Sequence, residues 1–164
     1  MVDNMITCCR QINLTHGKVT VVDVLDYHYL MQWKWYYCTS NGYAMRYVRS
    51  KRNILLHRVV GRRAGLDLKN EVDHQNRDKL DNRRRNLRAA TKSQQKGNEA
   101  VRKSNKSGFK GVSWAKHAKK WRACIWNHGK RIHIGYFLTK QQAAMAYNTN
   151  AEQIFGVFAW LNPL

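Results

Sequence analysis

The stretch EVDHQNRDKLDNRRRNLRAAT, residues 71–91, constrains the fold of this chain most strongly. It is rich in Asp and Asn residues, which favour loops and helix caps. The LRAA near its end predicts a short strand, and Thr91 with Gln94 has the spacing of a capping box, so a helix is expected to begin there. The segment therefore predicts the order strand, loop, strand, helix.

The charge balance limits the class of partner. Thirty Lys and Arg against ten Asp and Glu give a formal net charge of +20. A compact protein tolerates such a charge best when it binds a polyanion, so nucleic acid is the expected partner. A ribosomal protein on structured RNA would have the same composition, and a basic protein without a nucleic-acid partner remains an alternative.

The sequence indicates neither a membrane segment nor a disulfide framework. Its apolar stretches fall short of the ~20 residues of a membrane span, and MVDNMITCCRQ lacks the order of a signal peptide. The four cysteines lack the paired C-x-x-C spacing of a zinc ribbon; they are Cys8, Cys9, Cys38 and Cys124. We therefore expect reduced thiols and an intracellular location, in the host cytoplasm if a phage or mobile element encodes the chain.

Residues 12–56 predict a small α+β region. INLTHGKVTVVD has a His-Gly turn between two β-prone runs, and WKWYYCTSNGYAMRYV has Asn-Gly between two more, so two hairpins are expected. Between them, Asp23 is a candidate cap of a short helix with Leu25, Tyr29 and Leu30 at helical spacing. The aromatic residues Trp33, Trp35 and Tyr37 are expected in the core rather than on nucleic acid.

A helical stripe follows in ILLHRVVGRRAGL and should end at Gly61 or Gly65. His57, within this stretch, is expected to support the core or to contact a phosphate rather than to transfer a proton. The apolar residues of the stripe are Leu55, Leu56, Val59 and Val60.

The C-terminal third predicts a sheet covered by one helix. Residues 99–107 have the small, polar and basic composition of a linker. WRACIW and KRIHIGYF then alternate, so one sheet face is apolar and the other is cationic and aromatic. Thr139 and Gln142 have capping-box spacing at the start of a helix that can cover the apolar face.

The polar groups of residues 71–91 suit hydrolysis of a phosphodiester, which needs a base for water, a metal ion and donors that hold the geometry. Asp73 is a hard oxygen ligand for Mg²⁺ or Mn²⁺, and the adjacent His74 is a candidate general base. Asn82 and Asn86 can hydrogen-bond the imidazole and fix its tautomer. A purely structural role of these residues in turns and caps remains open.

This stretch resembles the HNH nuclease family, in particular the phage and intron-encoded homing endonucleases with a ββα-metal core. LHRVV, VDH and LDNRRRNLRAAT carry the resemblance, and GKVTVVDVLDYHYLMQWKWYY resembles the segment that precedes the core. The resemblance implies an HNH nuclease domain over residues 1–98, with its core at about 55–98. It also implies that Asp73 is a metal ligand, His74 the general base and Asn86 the residue that orients His74.

The last metal ligand of that family, an Asn or His in the first turn of the helix, corresponds to Gln95 in this sequence. A glutamine carbonyl can reach a Mg²⁺ ion, although its extra methylene adds a rotatable bond. Asn98, one turn further along, is an alternative ligand. Four arginines that flank the site have forks suited to phosphate oxygens, with a solvated face as the alternative for each: Arg83, Arg84, Arg85 and Arg88.

Residues 108–162 resemble the plant APETALA2/ethylene-response-factor (ERF) type of DNA-binding domain, which we expect over residues 108–164. GFKGV, KWRACIW, GKRIHIGYF and TKQQAAMAYNTNAEQIFG carry the resemblance. It implies that the sheet enters the major groove of double-stranded DNA. The DNA-binding residues predicted here are Lys110, Arg122, Trp126, Arg131 and His133, whereas Trp121 is expected in the core.

The predicted fold class is α+β: a small N-terminal α+β region leading into a ββα-metal HNH core, a basic linker, and a three-stranded antiparallel sheet packed on one helix. The predicted function is a site-specific, metal-dependent DNA endonuclease of the HNH homing type that nicks as a monomer. The alternatives are a catalytically weak or inactive HNH-fold protein that binds DNA or RNA, and a transcription regulator. The oligomeric state is left open.

Overall fold

The computed structural model of the protein describes residues 9–48 and 52–164. The chain divides into two compact units, Met1–Ala89 and Ala90–Leu164. Both combine short helices with small sheets, which confirms the predicted α+β class. Within the described ranges, no helix has the length and apolar composition needed to cross a membrane.

The first unit begins with an antiparallel hairpin of β1 (Cys9–Asn13) and β2 (Val19–Asp23), as predicted. His16 and Gly17 in the connecting turn have positive φ angles of 60° and 62°. Consecutive left-handed residues give a connection that matches the twist of the two strands.

Helix α1 (Val24–Leu30) follows β2 directly, as predicted, but its inward face differs from the prediction. Leu25 is 74% exposed, whereas Asp26 is fully buried. A buried carboxylate is tolerated here because two arginines pair with it. The carboxylate of Asp23 does not cap α1; it accepts a hydrogen bond from the backbone N–H of Arg84 at 2.7 Å.

The second predicted hairpin is also present and has one more strand. β3 (Tyr36–Tyr37) pairs with β4 (Ala44–Val48), and β4 pairs with β5 (Arg52–Leu55), all antiparallel. Leu55 was expected in the helical stripe, but it lies opposite Met45 in the ladder, so helix α2 (Leu56–Arg63) begins one residue later. The chain leaves α2 through Gly65, whose φ is 79°.

Residues 71–98 have the predicted order of strand, loop, strand and helix. β6 (Glu71–His74) pairs with β7 (Leu87–Ala90), and a 3₁₀ turn over Arg84–Asn86 precedes β7. Helix α3 (Lys92–Asn98) then begins with the predicted capping box of Thr91 and Gln94. The buried core of the first unit includes Val22, Leu30, Leu56, Val60, Val72 and Leu87.

The second unit contains the predicted three-stranded sheet and its covering helix. The antiparallel strands lie in the order β10-β9-β8, and the predicted capping box of Thr139 and Gln142 begins the helix. The elements are β8 (Val112–Ala115), β9 (Lys120–Asn127), β10 (Lys130–Phe137) and α4 (Lys140–Phe155). The core between sheet and helix is formed by Val112, Ala123, Ile125, Ala143, Tyr147, Ala151 and Phe155.

Helix α3 belongs to the second unit. Gly97 approaches Phe155 so closely that a Cβ atom at position 97 would lie 2.7 Å from the ring. The ammonium of Lys110 donates to the carbonyl oxygens at the C-terminal end of α3, those of Lys96, Gly97 and Glu99, at 2.6–3.0 Å. The structure thus divides the chain before α3, whereas the predicted nuclease domain extends to residue 98; the limits 1–98, 99–107 and 108–164 stay predictions.

Candidate active site and nucleic-acid interface

The C-terminal end of β6 presents two buried ionisable side chains in succession. Asp73 and His74 are 6% and 4% exposed. The preceding Val72 points into the core and anchors the strand. The carboxylate of Asp73 accepts from Nε and Nη2 of Arg88 at 3.1 and 3.0 Å, so its charge is balanced by a guanidinium.

A chain of buried hydrogen bonds connects β2 with the imidazole of His74. The hydroxyl of Thr20 donates to the carbonyl oxygen of Leu80 at 2.7 Å and therefore accepts from Nδ2 of Asn82, also at 2.7 Å. The amide oxygen of Asn82 then lies 3.2 Å from Nε2 of His74. Thr20 and Asn82 are both fully buried, so water does not compete for these bonds.

This chain determines which imidazole nitrogen of His74 is basic. The Nδ2 group of Asn82 faces Thr20, so the oxygen that faces His74 is an acceptor, and Nε2 of His74 must carry the hydrogen. In the neutral ring the lone pair then lies on Nδ1. Nδ1 is therefore the atom of His74 that can accept a proton.

The surroundings of His74 keep the imidazole neutral. Burial lowers its pKa below the ordinary value, because the charged ring loses hydration. The hydrogen bond to Asn82 and the carboxylates of Asp73, Asp78 and Asp81 act in the opposite direction and partly offset this effect. The ring is consequently in the base form near neutral pH.

His57 on α2 lies beside His74 but has a different environment. The two ring centroids are 5.0 Å apart, and the ring of Tyr43 is 4.9 Å from that of His57. Burial, assisted by the positive charges of Arg58 and Lys79 and by the repulsion that a protonated His74 would exert, lowers the pKa of His57 to about 3. A ring that is this weakly basic and 5% exposed supports the core role that the sequence suggested.

The loop between β6 and β7 is held by its own amide and carboxylate groups. The amide oxygen of Asn86 accepts from the backbone N–H of Asn76 at 3.0 Å, and its Nδ2 donates to Oδ1 of Asn76 and to the carbonyl oxygen of Asp81. Asn76 in turn donates to the carboxylate of Asp81 at 2.8 Å. The side chain of Asn86 thus shapes the loop, while Asn82 is the residue whose amide contacts His74.

Three of the four arginines predicted to bind phosphate are engaged by a carboxylate: Arg83, Arg84 and Arg88. Arg83 contacts both oxygens of Asp81 at 2.7 Å, and Arg84 contacts both oxygens of Asp26 at 2.7 and 2.8 Å. Arg88 pairs with Asp73 as described above. Phosphate contact by these side chains stays a prediction, since each would have to share or exchange its carboxylate partner.

Sequence reasoning missed two residues that support this site. Thr20 lies in the apolar run VTVVD and is fully buried. A polar residue within such a run was the signal in the sequence that could have identified it. Asp26 was hidden by the helical pattern of α1, although it is bound by both Arg63 and Arg84. Burial acts to raise the pKa of Asp26, but the hydrogen bonds and charges of these arginines hold it below its ordinary value.

The sheet of the second unit has a polar and aromatic face on the side opposite α4. The strand register places Ser113 opposite Arg122, Cys124 opposite His133, and Trp126 opposite Arg131. Trp126 is 54% exposed, whereas Trp121 packs partly buried against the core, as expected. Four of the five predicted DNA-binding residues of this unit share that face; the fifth, Lys110, contacts the end of α3 instead.

This face forms one wall of a large open groove. The groove has a volume of about 1080 Å³, and its other wall is formed by α3 and residues 99–105. The cations that line it include Lys92, Lys96, Arg102, Arg122 and Arg131. Glu99 is the acidic residue in the lining, and Lys96 pairs with it at 2.8 Å, so the groove is strongly positive.

Comparison with known proteins identifies the family. Residues 55–96 match a family profile described as HNH endonuclease. The chain is also 31% identical over 153 residues to an uncharacterised HNH endonuclease of Acanthamoeba polyphaga mimivirus, and the match covers 90% of this chain and 76% of the viral protein. The chain belongs to the HNH endonuclease family. Family membership implies nuclease activity and DNA binding.

Two further similarities cover parts of this HNH endonuclease. Protein 3.8 of Escherichia phage T7 is 33% identical over 88 residues, which span 54% of this chain and 72% of the phage protein. The AP2-like ethylene-responsive transcription factor TOE2 of Arabidopsis thaliana is 33% identical over 60 residues, which span 37% of this chain and 12% of the plant protein. No solved structure matches the chain.

HNH nucleases generally depend on a divalent metal ion. Asp73 supplies a hard oxygen ligand of the kind that such an ion takes, and Arg88 contacts one of its two carboxylate oxygens, Oδ2. In residues 9–48 and 52–164, no three His, Cys, Asp or Glu side chains are grouped to hold a metal. Beyond Asp73, an ion would have amide oxygens, water and phosphate as its possible ligands. Gln95 and Asn98 lie on α3, and their ligand roles stay predictions.

Proposed function

We propose that this HNH endonuclease is a metal-dependent enzyme of the homing type that hydrolyses one strand of double-stranded DNA, with His74 as general base. The observation that carries the proposal is the buried chain from Thr20 through Asn82 to Nε2 of His74. It holds the ring in one tautomer and leaves Nδ1 as the basic atom. A general base needs such a defined tautomer, because the nitrogen that accepts the proton must carry the lone pair.

In the proposed reaction, Nδ1 of His74 takes the proton of the attacking water. The imidazolium that forms keeps its Nε2–H donated to Asn82, and the nearby carboxylates stabilise its charge. Asp73, with Gln95 by the family resemblance, would hold Mg²⁺ or Mn²⁺. When bound, the ion supplies stabilisation of negative charge on the phosphate and the leaving oxygen. Because one centre per chain acts on one strand, a single chain is expected to nick.

The second unit is proposed to position the enzyme on duplex DNA in the manner of an APETALA2/ERF domain. Three observations support this role: the shared polar face of β9 and β10, the partial similarity to plant AP2-like proteins, and the absence of acidic residues from position 100 to 151. The polar face supplies side chains that can reach base edges, and the absence of carboxylates means that phosphates meet no local repulsion.

A nucleic-acid-binding protein without turnover is the second candidate. The ion pair between Asp73 and Arg88 favours it, because a guanidinium already occupies part of the carboxylate that the metal needs. Gln95 in place of the family's Asn or His points in the same direction.

A nicking assay on supercoiled DNA separates the two candidates. The full chain is incubated with a supercoiled plasmid library in Mg²⁺ or Mn²⁺, with an EDTA control. The enzyme proposal expects conversion to the nicked circle in metal and none in EDTA. Tight binding of the same DNA, without formation of the nicked circle in either metal, would instead establish a nucleic-acid-binding protein without turnover.

A further inference from the structure

The first unit carries a second basic and aromatic surface that is not part of the His74 site. It consists of Trp33, Lys34, Tyr36, Arg46 and Tyr47, which we call the Arg46 patch. These residues, together with Thr15 and Trp35, line an open cavity of about 460 Å³. The cavity lining contains two cations and no acidic residue.

Aromatic rings hold the guanidinium of Arg46 in place. Its central carbon lies 4.2 Å from the ring centroid of Trp33 and 5.9 Å from that of Trp35. Trp35 is a core residue at 5% exposure, so the guanidinium rests against a rigid support. An arginine that is already ordered loses little conformational freedom when it binds a ligand.

The charge of Arg46 is not balanced within the described part of the chain. The other half-buried arginines of the first unit each pair with a carboxylate: Arg58, Arg83, Arg84 and Arg88. Arg46 has no such partner among residues 9–48 and 52–164, and its Nε is buried without a hydrogen bond. A structural role alone does not explain why this guanidinium is placed here without an anion.

The second unit shows the same combination on its proposed DNA-reading face. In the described ranges, the buried side-chain nitrogens without a hydrogen-bond partner are Nε of Arg46 and Nε of Arg122. Both arginines lie on β-strands next to an exposed aromatic residue: Tyr47, 65% exposed, follows Arg46 in the chain, and Tyr136, 41% exposed, lies opposite Arg122 in the strand register. The two units thus present similar surfaces.

The surrounding sequence also favours a polyanion. No acidic residue occurs from position 27 to 66. In the sequence, Arg49, Lys51 and Arg52 follow β4 closely and add positive charge to this segment. A long segment with cations and no carboxylates attracts phosphate without local repulsion.

We infer that the Arg46 patch binds the phosphate backbone of duplex DNA, so that the first unit holds the substrate at a point other than the His74 site. The planar fork of Arg46 suits a phosphate, Lys34 adds a second charge, and the exposed ring of Tyr47 can contact the sugar. The inference rests on the proposed function, because it takes duplex DNA as the substrate.

The test compares Arg46→Gln with Arg62→Gln in the full chain. Arg62 is an exposed arginine of the same unit and controls for the loss of one charge. Duplex affinity is measured over a salt series. For Arg46→Gln we expect Kd to rise roughly threefold to tenfold and the salt slope to fall by about 0.9, as for loss of one phosphate contact. Arg62→Gln should stay within about twofold of the wild type.

Urea unfolding of each variant shows whether weaker binding results from a less stable fold. Two further substitutions test the patch at exposed side chains. Lys34→Gln and Tyr47→Ala alter exposed side chains and should weaken binding in the same direction without changing the unfolding midpoint. Equal affinity and salt slope for Arg46→Gln and Arg62→Gln would overturn the inference. The inference would also be overturned if Arg46→Gln weakened the binding of structured RNA and left the binding of duplex DNA unchanged. If the wild type does not bind duplex DNA at all, the proposed function itself fails.

Discussion

The hydroxyl of Thr20 and the amide of Asn82 lie 2.7 Å apart although 62 positions separate them in the sequence. This hydrogen bond links the first hairpin with the loop that follows β6. It fixes the direction of the Asn82 amide, and that direction fixes the tautomer of His74. The N-terminal hairpin therefore takes part in orienting His74, the proposed general base.

Replacing Thr20 tests this link. Thr20→Val removes the acceptor for Nδ2 of Asn82, so we expect the single-turnover nicking rate to fall about tenfold or more, in the range seen when partners of a catalytic side chain are lost. The duplex Kd should not change. Thr20→Ser keeps the hydroxyl and should retain most of the rate. Wild-type nicking by Thr20→Val would show that Asn82 and His74 keep their orientation without this bond.

The buried His57 predicts a specific dependence of stability on pH. Its pKa is near 6.5 when unfolded and about 3 in the folded protein, so the unfolded state binds the proton first as pH falls. The stability is fully present above pH 6.5, and about 1.4 kcal/mol is lost per pH unit below it until the folded pKa is reached. Urea unfolding of wild type and His57→Phe between pH 7 and pH 4.5 checks this. Parallel pH profiles for the two proteins would contradict it.

Asp26 is predicted to stabilise the fold through its two arginine partners. Asp26→Asn leaves Arg63 and Arg84 without their shared anion, and because both arginines are about one-third exposed we expect a loss of about 2 kcal/mol in the free energy of unfolding. Asp67→Asn, at an exposed turn, is the matched control and should cost about 1 kcal/mol or less. Equal unfolding midpoints for the two variants would argue against a role of Asp26 in holding the 3₁₀ turn.

Lys110 distinguishes a structural contact from a DNA contact. Lys110→Met removes the donor to three carbonyl groups at the end of α3, so the free energy of unfolding should fall by about 1–3 kcal/mol. The salt slope of duplex binding should match that of Lys116→Met, an exposed control. A salt slope lower by about one unit, with unchanged stability, would instead support the DNA contact that the sequence predicted for Lys110.

Features with local causes could be predicted from the sequence. The capping boxes at Thr91 and Thr139 and the turns at Gly17 and Gly42 arise from neighbouring residues, and the structure contains all four. The burial of Asp26 could not be predicted, because it depends on arginines distant in the chain. Similarly, Leu55 fits the helical stripe, but the ladder with Met45 extends β5 to include it.

For the candidate site, too, the chemistry of single residues could be predicted, whereas their partners from other parts of the chain could not. Asp73, His74 and Asn82 could be named from their chemistry within one short stretch. The hydroxyl that orients Asn82 comes from another strand, and the carboxylates that engage Arg83, Arg84 and Arg88 depend on side-chain directions that sequence spacing does not specify. Lys110, which was predicted to bind DNA, donates to carbonyl groups at the end of α3, and this contact also depends on side-chain direction; its contact with DNA stays a prediction.

The proposed role of His74 as general base is tested most directly by the effect of His74→Ala on cleavage and on binding, measured on the same duplex. Proton transfer at Nδ1 occurs only during the reaction, so the variant should lose Mg²⁺- or Mn²⁺-dependent nicking by a factor of about 10² or more while its duplex Kd stays within about twofold of the wild type. A His74→Ala protein that nicks at the wild-type rate in the same metal would contradict the central claim that His74 is the general base.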